Sequence, residues 1–163
     1  MAKESSFDIV SKTDMQEVVN AVHQTQKEIE TRFDFKGSKS RLDLQGEEIV
    51  VVGDDEYKLD SVIDVLKSKL IKRGVGLKSL EYGKVEPATQ GTVRQTIKVK
   101  QGISQEIAKQ IVKDVKELKI KVQSSIQGDQ VLVVGKEKDE LQAVIKFLKE
   151  RDYPVELQFV NYR

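Results

Sequence analysis

Apolar residues along this chain keep two rhythms in turn, one of every second position and one of every third or fourth. Phe7-Asp8-Ile9-Val10 reads as a short strand. Met15, Val18, Val19, Val22, Ile29 and Phe33 then recur at helical spacing, with Thr13 or Asp14 placed to cap the helix. Two strands follow, Ser38 to Leu44 and Glu48 to Val52, around a Gln45-Gly46 turn. A glycine there favours a tight antiparallel hairpin. A second helix is predicted from about Lys58 to Lys72, and a closing strand from Leu77 to Tyr82.

The same series comes again. The segment from Leu44 to Gly53 returns as Ile126 to Gly135, 82 positions later, and Leu59, Val62, Ile63 and Leu66 fall on Leu141, Val144, Ile145 and Leu148. Register held over such a span is the mark of an internal repeat. The second copy supplies a strand from Thr92 to Val99 and a helix with Ile107, Ile111, Val112, Val115 and Leu118 on one stripe. Ser104 is its N-cap. A hairpin, Lys121 to Ile126 with Gln130 to Val134, turns at Gly128; a helix from Lys138 to Arg151 and a strand from Val155 to Tyr162 complete the copy. Strand–helix–strand–strand–helix–strand is the order of the ferredoxin-like sandwich. The fold expected is therefore α+β, with two tandem βαββαβ units from a duplication. Residues 1–83 form the first, 84–91 a linker holding Pro87, and 92–163 the second.

Composition narrows the chemistry. There is no cysteine, so neither a disulfide framework nor a thiolate metal site is possible. No apolar run reaches the length of a membrane span, and the first residues lack the apolar stretch of a secretory signal, which fits a cytoplasmic protein. The net charge of +1 divides unevenly: residues 1–83 carry 13 Lys/Arg against 16 Asp/Glu, residues 84–163 carry 15 against 11. A weakly basic second half attracts phosphates, although scattered surface charge gives the same count.

The catalytic inventory is thin. His23 is the only histidine; it lies off the apolar stripe of the first helix and reads as a surface or ligand-contacting residue. Asp54-Asp55-Glu56 resembles an acidic metal cluster but precedes a helix, where carboxylates cap and meet the dipole. No phosphate-loop pattern occurs, and the central strands carry no aromatic residue for base stacking on the sheet. Two features remain. Arg32-Phe33-Asp34-Phe35-Lys36-Gly37 brings rings and cations together, the composition that stacks on bases and holds phosphates; Phe33 and Phe35 as staples of helix to sheet are the plain alternative. Lys109, Lys113 and Lys116 form a stripe on the third helix, with Lys98 and Lys100 on the strand before it. Such a stripe can track phosphates; it can equally be a solvated face partly neutralised by Asp114 and Glu117.

Ser5-Ser6-Phe7-Asp8-Ile9-Val10-Ser11, the Arg32 to Gly37 stretch, Lys121-Val-Gln-Ser-Ser-Ile-Gln-Gly-Asp129, and Gly135-Lys136 followed by Asp139 to Ile145 together resemble the bacterial YajQ family of nucleotide-binding proteins. The likeness runs over essentially the whole chain. It implies two ferredoxin-like domains that exchange their first strands, so that residues 7–10 and 93–99 pair in each other's sheets. It also implies a cytoplasmic protein with affinity for a nucleotide, a cyclic dinucleotide such as cyclic di-GMP, or RNA, and in some members a transcription-factor partner. Taken with the thin catalytic inventory, this makes a non-enzymatic binding protein without a cofactor the expected reading. A protein–protein adaptor with incidental or regulatory nucleotide affinity is the alternative. The family supplies no agreed binding residues. The candidate site, His23, Arg32, Phe33, Phe35, Lys36, Lys98, Lys100, Lys109, Lys113 and Lys116, rests on side-chain chemistry.

Overall fold

The structure, a computed structural model, describes residues 4–163. In chain order the strands and helices are β1 (Ser5–Val10), α1 (Met15–Thr31), β2 (Arg41–Gln45), β3 (Glu48–Gly53), α2 (Glu56–Lys72), β4 (Leu80–Tyr82), β5 (Glu86–Pro87), β6 (Val93–Val99), α3 (Gln105–Glu117), β7 (Val122–Gln127), β8 (Gln130–Gly135), α4 (Lys138–Glu150) and β9 (Gln158–Val160). They form an α+β protein whose described residues fall into two compact units. One is contiguous, residues 13–100; the other is discontinuous, residues 4–12 with 101–163.

In the contiguous unit the strand order is β2-β3-β6-β4, all antiparallel, with β5 added beside β6. In the discontinuous unit it is β7-β8-β1-β9, again antiparallel. β1 thus lies between strands that come more than a hundred residues later, and β6 lies between β3 and β4. Each unit has its own core. Leu42, Ile49, Val51, Ile97 and Val99, from one face of the first sheet, meet Val18, Val22, Leu59, Val62 and Leu66 of α1 and α2. Phe7, Ile9, Val131 and Val133 meet Ile111, Val115, Leu141, Val144 and Leu148 of α3 and α4.

Local chemistry fixes these elements. Asp14, Asp55 and Ser104 cap α1, α2 and α3, each accepting from a backbone N–H of the first turn. The hairpin between β2 and β3 needs a left-handed φ at its first turn residue, and Gly46 supplies it at +63°. Gly53 is there for a different reason: a Cβ would stand 2.4 Å from the Leu59 nitrogen, so only glycine lets the strand end this close to α2.

Several boundaries differ from the sequence reading. α1 stops at Thr31; Arg32 is extended, and Phe33–Phe35 form a separate 3-10 turn. β2 begins at Arg41 because Ser38 to Ser40 turn aside to bond Asp54: the Ser38 hydroxyl and the Lys39 N–H (2.8 Å) both donate to its carboxylate. Leu77–Ser79 is a 3-10 turn ahead of β4. β9 is only three residues long, yet its pairing resumes after Asn161, whose φ of +57° makes a bulge; Arg163 and Ser6 then exchange backbone bonds of 3.0 and 3.1 Å. Within residues 84–91, Glu86–Pro87 pairs with β6 and Thr89–Gly91 makes a 3-10 turn. That segment is structured.

Candidate functional site

The Arg32 to Gly37 stretch is tied down by its own charges. Arg32 donates two bonds to Asp34, of 3.0 and 2.8 Å, and a longer one of 3.4 Å to Glu28. The guanidinium holds the Asp34 carboxyl below the usual carboxylate range, through that hydrogen bond first. Lys58 donates to the Asp34 carbonyl and stands 5.0 Å from the centre of the Phe35 ring, with Arg32 at 5.3 Å. Phe35 is 5% exposed and belongs to the core of the contiguous unit. It offers no open face to a base, and the staple reading is the one its position fits. Phe33, 88% exposed, points away from that core. Lys36 is exposed beside it.

The remaining sequence candidates scatter. His23 is exposed midway along α1. Lys98 stands directly across the ladder from Glu48 on one side and Glu81 on the other, so carboxylates flank its charge. Lys100 is half-buried, its backbone N–H bonded to Ser79 and its carbonyl to the Thr13 hydroxyl. Lys109, Lys113 and Lys116 are exposed on α3 of the discontinuous unit, whereas His23, the Arg32 stretch, Lys98 and Lys100 all belong to the contiguous one. Asp114 does not neutralise the lysine stripe. It is 1% exposed and turned inward, accepting from the Tyr153 hydroxyl (2.5 Å), Gln110 (2.8 Å) and Arg151 (3.2 Å). Burial, and then the Asp114 bond, push the Tyr153 phenol far up, so that it stays a donor.

A concave site lies elsewhere in the contiguous unit. On the sheet face away from the helices, Arg41 of β2, Val52 of β3 and Arg94 of β6 stand directly across from one another. Neighbours on such a rung are about 5 Å apart, so the two arginines flank Val52. Lys39, Pro87, Ala88, Thr89, Gln90 and Thr92 complete a cleft of ≈ 670 Å³. Its lining holds three cations and no carboxylate. Asp43 pairs with Arg41 at 3.1 Å and Glu86 with Arg94 at 3.2 Å; both carboxylates lie outside the lining. The pairs are solvent-exposed and cheap to break.

The discontinuous unit has a cleft at the corresponding place, ≈ 630 Å³, with Lys121, Gln123 and Val134 standing 82 positions after Lys39, Arg41 and Val52. There Gln123 replaces an arginine, and Glu4, Glu137 and Glu140 join Lys121 and Lys136 in the lining. An anion has reason to choose the first cleft only. Lys39, Arg41 and Arg94 went unweighed in the sequence because each is an unremarkable surface cation until the register aligns them. Comparing positions 82 residues apart in the sequence would have raised Arg41 against Gln123.

Among the described residues no helix is long and apolar enough to cross a membrane. A family model described as nucleotide-binding protein YajQ-like matches residues 5–163. A protein of Desulfitobacterium hafniense (strain DSM 10664 / DCB-2), named nucleotide-binding protein, is 65% identical over 163 residues and is covered along its whole length, as is this chain. Relatives of the same name are 58% identical in Desulforamulus reducens, over all of this chain and 99% of theirs, and 55% identical in Bacillus cytotoxicus, over the whole of both.

Proposed function

Because the chain belongs to the YajQ-like family of nucleotide-binding proteins, we propose that it is a non-enzymatic nucleotide-binding protein whose ligand phosphates are held in the cleft of Lys39, Arg41 and Arg94. The two units are read as copies of one ferredoxin-like βαββαβ design, of which one copy kept the cationic lining. The observation that carries the site is that lining: two guanidinium groups on one rung, a lysine beside them, and no carboxylate. Arginine suits the task because its fork meets two phosphate oxygens at once. Val52 and Pro87 give the cleft an apolar floor on which a sugar or base can rest.

A second surface, Arg32, Phe33 and Lys36 with His23 on the same unit, is favoured by one observation: the Phe33 ring is almost wholly free to stack. Ligands there compete with Asp34 for Arg32. The lysine stripe Lys109, Lys113 and Lys116 is the third candidate surface.

The ligand class within the reading is ATP or GTP, a cyclic dinucleotide such as cyclic di-GMP, or RNA. Calorimetric titration of each, at low and moderate salt, decides among them. One small ligand binding saturably identifies a receptor; weak binding of any RNA with steep salt dependence identifies a backbone binder. Arg94→Ala and Lys39→Ala should each weaken binding by about 1.5–3 kcal/mol, the cost of a charged hydrogen bond, or roughly ten- to a hundredfold. If Arg32→Ala and Lys36→Ala weaken it instead, the second surface is the site. No binding of any nucleotide favours an adaptor, in a cytoplasmic complex with a transcription factor or other protein.

A further inference from the structure

We propose that β7 is a docking edge for a second copy of this chain, the two β7 strands pairing antiparallel about a dyad at Ser124. Among the described residues β7 pairs with β8 alone, so its outer side is the open edge of the sheet. An open edge invites another strand, and proteins usually block it with charges, prolines, bulges or shortness. β7 has none of these. It is six residues long, Val-Gln-Ser-Ser-Ile-Gln, with no charge and no proline. The strand at the corresponding edge of the other sheet, β2, carries Arg41 and Asp43, and β4 and β9 at the far edges have three residues each. Ser124 stands 82 positions after Leu42, which is buried in its core; here the place has become a small hydroxyl, half-buried.

The strand also matches itself. A dyad normal to the sheet keeps each face on its own side, so even-numbered residues oppose even-numbered ones. With Ser124 opposite Ser124 of the partner, Val122 meets Ile126 on the core side, and Gln123 meets Ser125 on the other. Apolar groups face apolar, polar face polar, and no like charges are opposed. The result is one eight-stranded sheet running through both copies, an isologous contact of the commonest symmetry.

Analytical ultracentrifugation over a wide concentration range tests this. The parent should shift from monomer to dimer as concentration rises, and stop there, since a dyad contact closes. Ser124→Lys sets two like charges on the axis and should weaken dimerisation at least tenfold, with an unchanged circular-dichroism spectrum. Mixing Ser124→Lys with Ser124→Glu should restore a dimer, now of the two variants. A parent that stays monomeric throughout, or a dimer indifferent to Ser124→Lys, overturns the proposal. Should the lysine variant misfold, the absence of native cysteine supplies another arm. Opposed strand residues have Cα atoms about 4.5–5.5 Å apart, within disulfide reach. Ser124→Cys should therefore cross-link copies on oxidation, and Ser61→Cys, on α2 of the other unit, should not; equal cross-linking of both also overturns it.

Discussion

Phe35 and Asp114 show how little of a residue's role its type declares. Phe35 sits in a stretch composed like a base-binding surface, yet it fills the core of the contiguous unit with Arg32 and Lys58 against its ring. Replacing it by alanine should cost about 3–5 kcal/mol, the usual range for a buried aromatic. A chemical-denaturation curve measures that, and any binding defect of this variant should track its lost stability. Asp114, which reads as one more charge on a lysine-rich helix, is a buried carboxylate held by a phenol and a guanidinium. Tyr153→Phe keeps the ring and removes the donor, so it should destabilise by about 1–3 kcal/mol in the same assay. The core role of Phe35 was legible only as the alternative to base stacking, and that of Asp114 was not legible. Each depends on a partner remote in sequence: Lys58 for one, Tyr153 for the other. Gly46, Gly128 and Ser104 were legible, because turn and cap chemistry is decided by immediate neighbours.

At the scale of elements, helices and hairpins were read to within a few residues, and the closing strands were overextended where the chain turns into 3-10 or bulged geometry instead. The start of β2 was missed for a chemical reason. Asp54, beside the capping Asp55, reaches back to hold Ser38 and Lys39. Those bonds, the Ser38 hydroxyl first, set the Asp54 carboxyl below its ordinary range. A carboxyl depressed on folding contributes stability at neutral pH and loses it as the pH falls through the folded-state value. Glu28, lowered chiefly by Lys69, and Asp34 titrate in the same direction. The contiguous unit should therefore weaken below the ordinary aspartate value of 3.8, and Asp54→Asn should make that acid limb shallower in thermal melts taken across pH. β1 makes a sharper case. Its Phe7 and Ile9 are fully buried in the discontinuous unit. Deleting residues 1–12 should abolish amide-exchange protection in 101–163 and leave that of 13–100 near its original level.

At the scale of the molecule, the repeat was visible in the sequence while the cleft was not. Periodicity is a property of one segment, and the rung Arg41–Val52–Arg94 exists only after three strands have paired. The two units and their two clefts also provide a built-in comparison. Converting the poorer cleft toward the richer one, with Gln123→Arg and Glu137→Gln, should raise its affinity for the same phosphates, read as a second binding event by calorimetry. The strand order has a further consequence, in time instead of space. β1 is made more than a hundred residues before its partners β8 and β9; the Asn161 side chain that bonds Asp8 is 153 positions away. On a ribosome, residues 13–100 can complete their sheet and core as soon as they emerge, while β1 waits with Phe7 and Ile9 uncovered until β8 and β9 arrive. Such distant pairing is slow to close. For that interval this short apolar strand is the segment a chaperone would hold.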